Sequence, residues 1–207
     1  MDVSRIIALI VFLFPLAYSP GPGNAFFASV GASQGLRGAV PSLLGYHVAT
    51  FIVTALLGLG FDAAFLANAG IMRAISAAGG VYVLWIGWQF LRAAWAKPDE
   101  AGPAGDAAGV TFIDGALVLL LNPKAYVIIG LMFTQFLTPG SDGLSQVVAV
   151  TTIFTLNNLV AFVVWTMAGM AIAALLRGET AHRNLNLIFG LSMLGVGVWM
   201  LLPVLHL

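Results

Sequence analysis

The sequence predicts an all-α membrane protein with six transmembrane helices, arranged as two inverted three-helix repeats in which the first and fourth helices are broken. Two observations carry this prediction. Of the 207 residues, 60% are hydrophobic and 8% are charged, whereas a soluble domain carries roughly 25% charged residues. In addition, helix-breaking segments at residues 19–24 and 122–124 interrupt apolar stretches in corresponding positions of the two halves. We treat residues 1–207 as one transmembrane domain.

Residues 1–95 form the first predicted repeat, with three apolar stretches long enough to cross a membrane. A helix needs about 20 apolar residues to span the hydrocarbon core. The predicted spans cover residues 6–33, 40–61 and 74–91. The first is interrupted at residues 19–24, because the prolines and glycines there cannot continue an α-helix. A short polar turn is predicted at residues 35–38.

Residues 96–110 are rich in proline, glycine and charged side chains, and form the predicted linker to the second repeat, residues 111–207. The spans of this repeat cover residues 111–137, 144–176 and 185–205. The middle one would be roughly 50 Å long as a continuous helix. We therefore expect either a tilted helix or a local break near Asn157 and Asn158.

The basic residues of the short loops predict the orientation in the membrane. One side of the predicted topology collects Arg37, Arg92, Lys97, Arg177 and Arg183, whereas the other collects Arg5 and Arg73. The side richer in lysine and arginine is normally cytoplasmic. Both termini are therefore predicted to be external. Because each half has an odd number of spans, the two halves would be inverted relative to each other.

The first helix break is a candidate binding site. In hydrocarbon, backbone groups released by a break need partners inside the protein or in a water-filled cavity. Paired broken helices in the two halves are typical of the substrate sites of secondary transporters. The candidate residues here are Pro20, Gly21, Pro22, Gly23 and Asn24. The helix that restarts near Asn24 would direct its positive end at an anionic group. The alternative is a proline kink that only shapes packing.

The second break supplies Asn122, Pro123 and Lys124 as candidate residues. An ammonium deep in a span costs a few kcal/mol on insertion scales, so Lys124 is a functional candidate by default. It lies just after a proline that can start a helix, where it could meet a substrate carboxylate. The alternatives are a lysine that snorkels to the interface and an Asn122 that only caps the helix.

Three further polar residues within predicted spans complete the candidate site. His47 can titrate near neutral pH and relay protons, although a neutral, hydrogen-bonded histidine would fit the position equally well. Asn157 and Asn158 are adjacent in the sequence, so they point to different faces of a helix. At least one is expected to face the cavity, while the other can hydrogen-bond to a neighbouring helix.

The composition disfavours several other functions. The formal net charge is zero, so no basic footprint for nucleic acid is present. With no cysteine and scattered histidines, the sequence predicts neither a metal site nor a cofactor. Export of metal or inorganic ions is therefore a weaker alternative, as is a scaffold without transport. A membrane-embedded enzyme would need a nucleophile–base pair, for which His47 with Ser42 or Ser19 is the only candidate.

At these residues the chain resembles the LysE/RhtB family of bacterial amino-acid exporters. The matching segments are SPGPGN at residues 19–24, QGLRGA at 34–39, GGVYVLWIG at 79–87, NPKA at 122–125, FTQF at 133–136 and LNLIFG at 185–190. The resemblance covers nearly the whole chain. The first and fourth segments are fairly specific together, because their order and spacing also agree.

The resemblance implies proton-driven export of an amino acid or a similar small molecule across the bacterial inner membrane; with the orientation predicted above, both termini would be periplasmic. It implies that both helix breaks line the transport site, with the lipid bilayer and a small-molecule substrate as partners. A homodimer formed through glycine-rich helix faces is a separate expectation. Gly23 stands where the family commonly has a polar or acidic residue. Many relatives also carry an acidic residue in the second and fifth spans, where this chain has Thr50 and the Asn157–Asn158 pair, with His47 one turn before Thr50.

Overall fold

The computed structural model describes residues 1–60, 68–95, 109–137, 143–175 and 179–205. All regular structure in these ranges is helical, which confirms the all-α prediction for this part of the chain. The helices are α1 Val3–Tyr18, α2 Pro22–Gly58, α3 Ala69–Trp95, α4 Phe112–Leu120, α5 Pro123–Phe136, α6 Gly143–Leu175 and α7 Glu179–Leu205.

Four helical segments are each long and apolar enough to cross a membrane by themselves: Pro22–Gly58, Ala69–Arg92, Gly143–Leu175 and Arg183–Leu202. The pair α4 and α5 meets the same criterion together, with a bend of 64° at its break. The remaining helix, α1, is apolar but has only 16 residues. Large apolar side chains such as Val11, Leu156 and Val160 are more than half exposed, as expected for a surface that faces lipid.

Helix α2 reverses direction at Gly35, where the backbone has φ 69° and is not helical. A straight helix would separate Phe27 and Tyr46 by roughly 28 Å. Their ring centroids are instead 5.7 Å apart, so the two parts of α2 fold back on each other. The polar turn predicted at residues 35–38 is therefore present at Gly35. A left-handed φ is readily adopted by glycine because it has no Cβ.

Glycines allow close contact between several helix pairs. Along α3 and α7, a Cβ on Gly80 would lie 3.1 Å from the Gly197 carbonyl oxygen, and one on Gly87 would lie 3.0 Å from that of Gly190. The two helices are therefore antiparallel. Helices α2 and α4 make an equivalent contact, in which Gly45 faces the Phe112 carbonyl and Gly115 faces the Ser42 carbonyl. Small residues at such positions let helix backbones approach closely.

The contacts define two ends of the helix bundle. At one, here called the Val3 end, an apolar cluster joins α1, α5 and the beginning of α6; it contains Leu9, Leu13, Ile128, Ile129, Met132, Phe133, Val147, Val150 and Phe154. At the other, the Gly35 end, Gln34 lies next to the start of α4, and its Oε1 accepts a hydrogen bond from the Val110 N–H at 3.2 Å. The two helix breaks lie between these ends.

Helix α6 is continuous from Gly143 to Leu175, so the local break considered near Asn157 and Asn158 is wrong. Of the predicted linker at residues 96–110, only residues 109–110 are described. The linker and the repeat boundaries built on it therefore remain predictions, and Lys97 and Arg177 lie outside the described residues.

Candidate functional site

The first break separates α1 from α2 at residues 19–21. Helix α1 ends at Tyr18, and α2 begins at Pro22, two residues before the expected restart at Asn24. Proline fits the first position of a helix because its missing N–H would have no intrahelical partner there. The carbonyl groups at the end of α1 need donors, and Asn24 supplies one: its Nδ2 donates to the Ala17 oxygen at 2.8 Å.

The second break separates α4 from α5 at residues 121–122. Asn122 caps α5, because its side-chain oxygen accepts a hydrogen bond from the Lys124 N–H at 3.1 Å. Pro123 occupies the first helical position, as Pro22 does in α2. Asn122 therefore has the helix-capping role that the sequence suggested as an alternative. Its side chain is also buried, at 5% exposed, and it borders the small cavity described below.

Lys124 joins the two breaks. Its Nζ donates to the Ser19 carbonyl oxygen at 3.0 Å and to Ser19 Oγ at 2.9 Å, and it lies 3.5 Å from the Pro20 carbonyl oxygen. These acceptors satisfy the three donors of an ammonium group. They also lie at the C-terminal end of α1, where the helix dipole favours a positive charge. Lys124 therefore links residues 105 positions apart in sequence, and it does not snorkel to an interface.

A small cavity lies beside this linkage. Its volume is about 20 Å³, which is room for roughly one water molecule. It is lined by Leu16, Ala17, Asn24, Tyr46, Asn122, Lys124, Ala125, Ile128, Phe154, Asn158 and Phe162. Lys124 is the only charged residue among them, and no carboxylate lines the cavity. An amino acid does not fit this volume, and we refer to this arrangement of the two breaks as the closed form.

Aromatic rings form one wall of the cavity. The rings of Tyr46 and Phe162 pack edge to face with centroids 4.6 Å apart, and Phe27 lies 4.8 Å from Phe162. The Tyr46 hydroxyl is within hydrogen-bonding reach of the Asn122 and Asn158 side chains. Tyr46 thus connects α2 with both the second break and α6. Gly23 packs against this wall, and a Cβ there would lie 2.8 Å from the Phe162 ring.

His47 lies behind this wall and is 7% exposed. Its Nδ1 is 2.6 Å from the Leu43 carbonyl oxygen. Because a carbonyl oxygen can only accept, Nδ1 carries a hydrogen and Nε2 of the neutral ring is an acceptor. Nε2 is buried and has no hydrogen-bond partner among the described residues. A proton on Nε2 would turn this acceptor into a donor.

The structure brings most of the predicted site residues together. Asn24, Asn122, Lys124 and Asn158 line the cavity, and Pro20, Gly21, Pro22, Gly23 and Pro123 form the breaks next to it. His47 is one layer away, beside the Tyr46 and Phe162 rings. Asn157 does not line the cavity; its Nδ2 is buried without a hydrogen-bond partner in the described part of the chain.

The sequence analysis missed Ser19, Tyr46 and Phe162 as members of the site. Ser19 belongs to the helix-breaking segment, and its position next to the two prolines was a usable signal. Tyr46 is a tyrosine in the interior of a predicted span, where a hydroxyl needs a hydrogen-bond partner. For Phe162 the sequence contains no such signal, because it is one of many apolar residues in α6.

Among the described residues, no group of three or more histidine, aspartate or glutamate side chains could hold a metal ion. Asp114 lies away from the cavity near the Gly35 end, where it closes a capping box with Thr111. It also accepts a hydrogen bond from the Tyr82 hydroxyl at 2.9 Å. Its hydrogen bonds are therefore those of a structural helix cap.

Comparison with known proteins gives one family. The chain matches the family described as LysE type translocator over residues 14–203. Homoserine/homoserine lactone efflux protein of Salmonella typhimurium is 30% identical over 184 residues, which cover 88% of this chain and 88% of that protein. Threonine efflux protein of Escherichia coli K12 is 30% identical over 122 residues, which cover 57% of this chain and 59% of that protein.

A third relative is named for chemotactic transduction and not for efflux. Chemotactic transduction protein ChpE of Pseudomonas aeruginosa is 30% identical over 197 residues, which cover 92% of this chain and 95% of that protein. No solved structure matches this chain.

Proposed function

Because this chain belongs to the LysE type translocator family, we propose that it exports amino acids across the bacterial inner membrane by alternating access at the two helix breaks. It is a multi-pass membrane transporter and not an enzyme. The efflux proteins for homoserine and threonine are similar to this chain along much of its length. The linkage of Lys124 to Ser19 across the two breaks carries the proposal about the site.

The proposed substrate is a zwitterion. In the closed form the Lys124 ammonium occupies the carbonyl groups at the end of α1. An entering substrate places its own ammonium on those carbonyls, and its carboxylate draws Lys124 away from them. Each charge then keeps an opposite partner, which limits the cost of placing charge at membrane depth. The exchange of partners separates the two breaks and allows the closed cavity to widen.

The cavity lining supports a small amino acid with a neutral side chain. No carboxylate lines the cavity, so a second ammonium or a guanidinium would have no counter-charge there. The amides of Asn24, Asn122 and Asn158 and the Tyr46 hydroxyl offer hydrogen bonds to a hydroxyl or amide side chain. The relatives named for homoserine and threonine efflux carry substrates of this kind.

We propose that six spans form two inverted repeats that rock against each other. The reversal of α2 at Gly35 supports this count, because α1 and the first part of α2 then make one broken span and the second part makes another. The antiparallel contact of α3 with α7 fits equivalent helices of inverted repeats. In this arrangement the Val3 end, with Arg5, is external, and His47 couples export to proton entry. Homodimer formation is a further prediction.

Replacing Lys124 tests the proposal. In proteoliposomes loaded with threonine or homoserine, we expect Lys124→Met to lower exchange of external labelled substrate by at least about tenfold, since a charge-assisted hydrogen bond contributes roughly 1.5–3 kcal/mol. Ser19→Ala removes the Oγ acceptor but keeps the carbonyl, so we expect a smaller loss.

Arg73→Met is the matched control, because it removes a cation from an exposed position near the start of α3. We expect this variant to exchange substrate at the wild-type rate. Exchange by Lys124→Met that equals the control, in protein with an unchanged melting temperature, would contradict the proposed role of Lys124.

A further inference from the structure

The polar groups around the small cavity fall into two sets. The first is Lys124 with the carbonyl groups at the end of α1, described above. The second, here called the polar wall, consists of Tyr46 from α2, Asn122 from the second break and Asn158 from α6, which all line the cavity. Each of these three residues is at most 6% exposed. Asn24, the remaining polar residue of the lining, is engaged at the first break.

Contacts outside the cavity hold the polar wall in place. The Tyr46 ring packs edge to face against Phe162, with centroids 4.6 Å apart. Asn122 Oδ1 accepts a hydrogen bond from the Lys124 N–H, which leaves the Nδ2 donor of this amide for the cavity. The Tyr46 hydroxyl is within hydrogen-bonding reach of the Asn122 and Asn158 side chains. The hydrogen-bonding groups of the wall are therefore already in position in the closed form.

Entry of a substrate must separate the members of the polar wall. They belong to α2, the second break and α6, and the cavity between them has a volume of only about 20 Å³. An amino acid that enters therefore moves these elements apart, and the hydroxyl and the two amides need new partners, because a buried polar group without a hydrogen bond is costly. A substrate hydroxyl can both donate and accept, so it replaces the lost contacts, whereas an apolar side chain cannot.

We propose that Tyr46, together with Asn122 and Asn158, determines the specificity of transport by binding a hydroxyl group on the substrate side chain. The inference rests on the proposed function, in which the charged groups of the substrate bind Lys124 and the end of α1. Lys124 and the polar wall border the same small cavity, so the side chain of such a substrate meets the wall. A site built to bind a hydroxyl discriminates strongly against an analogue without one, because its own polar groups are left unpaired.

Two pairs of amino acids test this selection. Threonine and valine have nearly the same shape but carry a hydroxyl and a methyl group at the same position. Homoserine and 2-aminobutyrate differ only by the hydroxyl. In proteoliposomes loaded with labelled threonine and kept at equal pH, exchange against each unlabelled external amino acid gives its kcat/KM. We expect the wild-type protein to prefer the hydroxylated member of each pair by at least about tenfold.

Tyr46→Phe removes the hydroxyl and keeps the ring that packs on Phe162. We expect kcat/KM for threonine to fall several-fold while that for valine stays the same or rises, so the threonine-to-valine ratio moves towards one. The ratio is measured within one preparation and does not depend on the amount of folded protein. Asn158→Leu removes the amide from α6 at similar size and should lower the ratio in the same direction, which keeps the test open if Tyr46→Phe does not fold.

Tyr82→Phe is the matched control. It also removes a tyrosine hydroxyl that is bound to another side chain, since Tyr82 donates to Asp114 at 2.9 Å, but this pair lies away from the cavity. We expect the variant to keep the wild-type preference for threonine over valine.

Several results would overturn the inference. A wild-type protein that exchanges valine as fast as threonine would show that the site does not bind the hydroxyl, while the proposed export of amino acids would stand. Tyr46→Phe and Asn158→Leu proteins with the threonine-to-valine ratio of Tyr82→Phe would contradict the role of the polar wall. Equal slowing of threonine and valine would assign these residues a structural role. A wild-type protein that exchanges no amino acid would instead contradict the proposed function, and the inference with it.

Discussion

Gly23 packs behind two aromatic residues of the cavity wall, Phe162 and Tyr46. A Cβ at this position would lie 2.8 Å from the Phe162 ring and 3.5 Å from the Tyr46 ring. Gly23 is the second residue of α2, where alanine suits the backbone. We therefore expect Gly23→Ala to narrow the site with little effect on folding. Threonine exchange in proteoliposomes should fall several-fold, mainly through a higher KM.

Gly195→Ala is a suitable control for this variant, because a Cβ on Gly195 would have no neighbour within 4 Å. If Gly23→Ala exchanged threonine with the kinetics of Gly195→Ala, the aromatic wall would not border the substrate.

At the residue scale, the sequence predicted the polar members of the site better than the apolar ones. Proline, glycine and lysine within apolar stretches are rare and costly in a membrane, so Pro20, Pro123 and Lys124 could be identified without a structure. Phe162 could not, because large apolar residues are spread around all sides of α6 and the sequence does not indicate which of them point inward. The partner of Lys124 was also unpredictable, since it depends on a contact between residues 105 positions apart.

At the element scale, close contacts between backbones hold α2 against α4 and α6. Gly45 faces the Phe112 carbonyl oxygen, and Gly115 faces that of Ser42. A methyl group on either glycine would overlap a backbone oxygen, which cannot rotate away as a side chain can. We expect Gly45→Ala to force the helices apart and to destabilise the protein by about 1–3 kcal/mol. Thermal unfolding in detergent should show a lower melting temperature.

The same Gly195→Ala variant serves as the control for helix packing. Alanine is favoured over glycine within a helix by roughly 1 kcal/mol, and nothing obstructs a methyl group at position 195. Its melting temperature should equal or exceed that of the wild type. A Gly45→Ala protein as stable as this control would mean that α2 and α4 are not in close contact.

The positions of the helices and of the two helix breaks were predictable from the sequence to within a few residues, but the continuity of α6 was not. The breaks at residues 19–21 and 121–122 follow from proline, which cannot donate a helical hydrogen bond. Asn157 and Asn158 do not interrupt α6. Asparagine costs less than 1 kcal/mol within a helix, whereas a break in hydrocarbon leaves several backbone groups without partners. A long helix therefore tolerates two adjacent asparagines more readily than it breaks.

At the scale of the whole molecule, the contact between the two helix breaks joins the two halves of the chain. The linkage of Lys124 to Ser19 holds the breaks together, and Leu9, Leu13 and Ile129 pack at the Val3 end on one side of them. The charge pattern predicts that end to be external, which is the acidic side of a respiring bacterial membrane. In the proposed mechanism, protons therefore enter from the Val3 end while substrate leaves towards it through the opened breaks.

The central claim is that this molecule uses a pH gradient to export a neutral amino acid. The most direct measurement is transport by the purified wild-type protein in proteoliposomes, with a labelled panel that includes homoserine, threonine and lysine, with and without an imposed pH gradient. We expect homoserine or threonine to move uphill towards the acidic side only when the gradient is present, and lysine not to move. Uphill transport of lysine would contradict the claim. Homoserine and threonine that move only downhill, both with and without the pH gradient, would also contradict it.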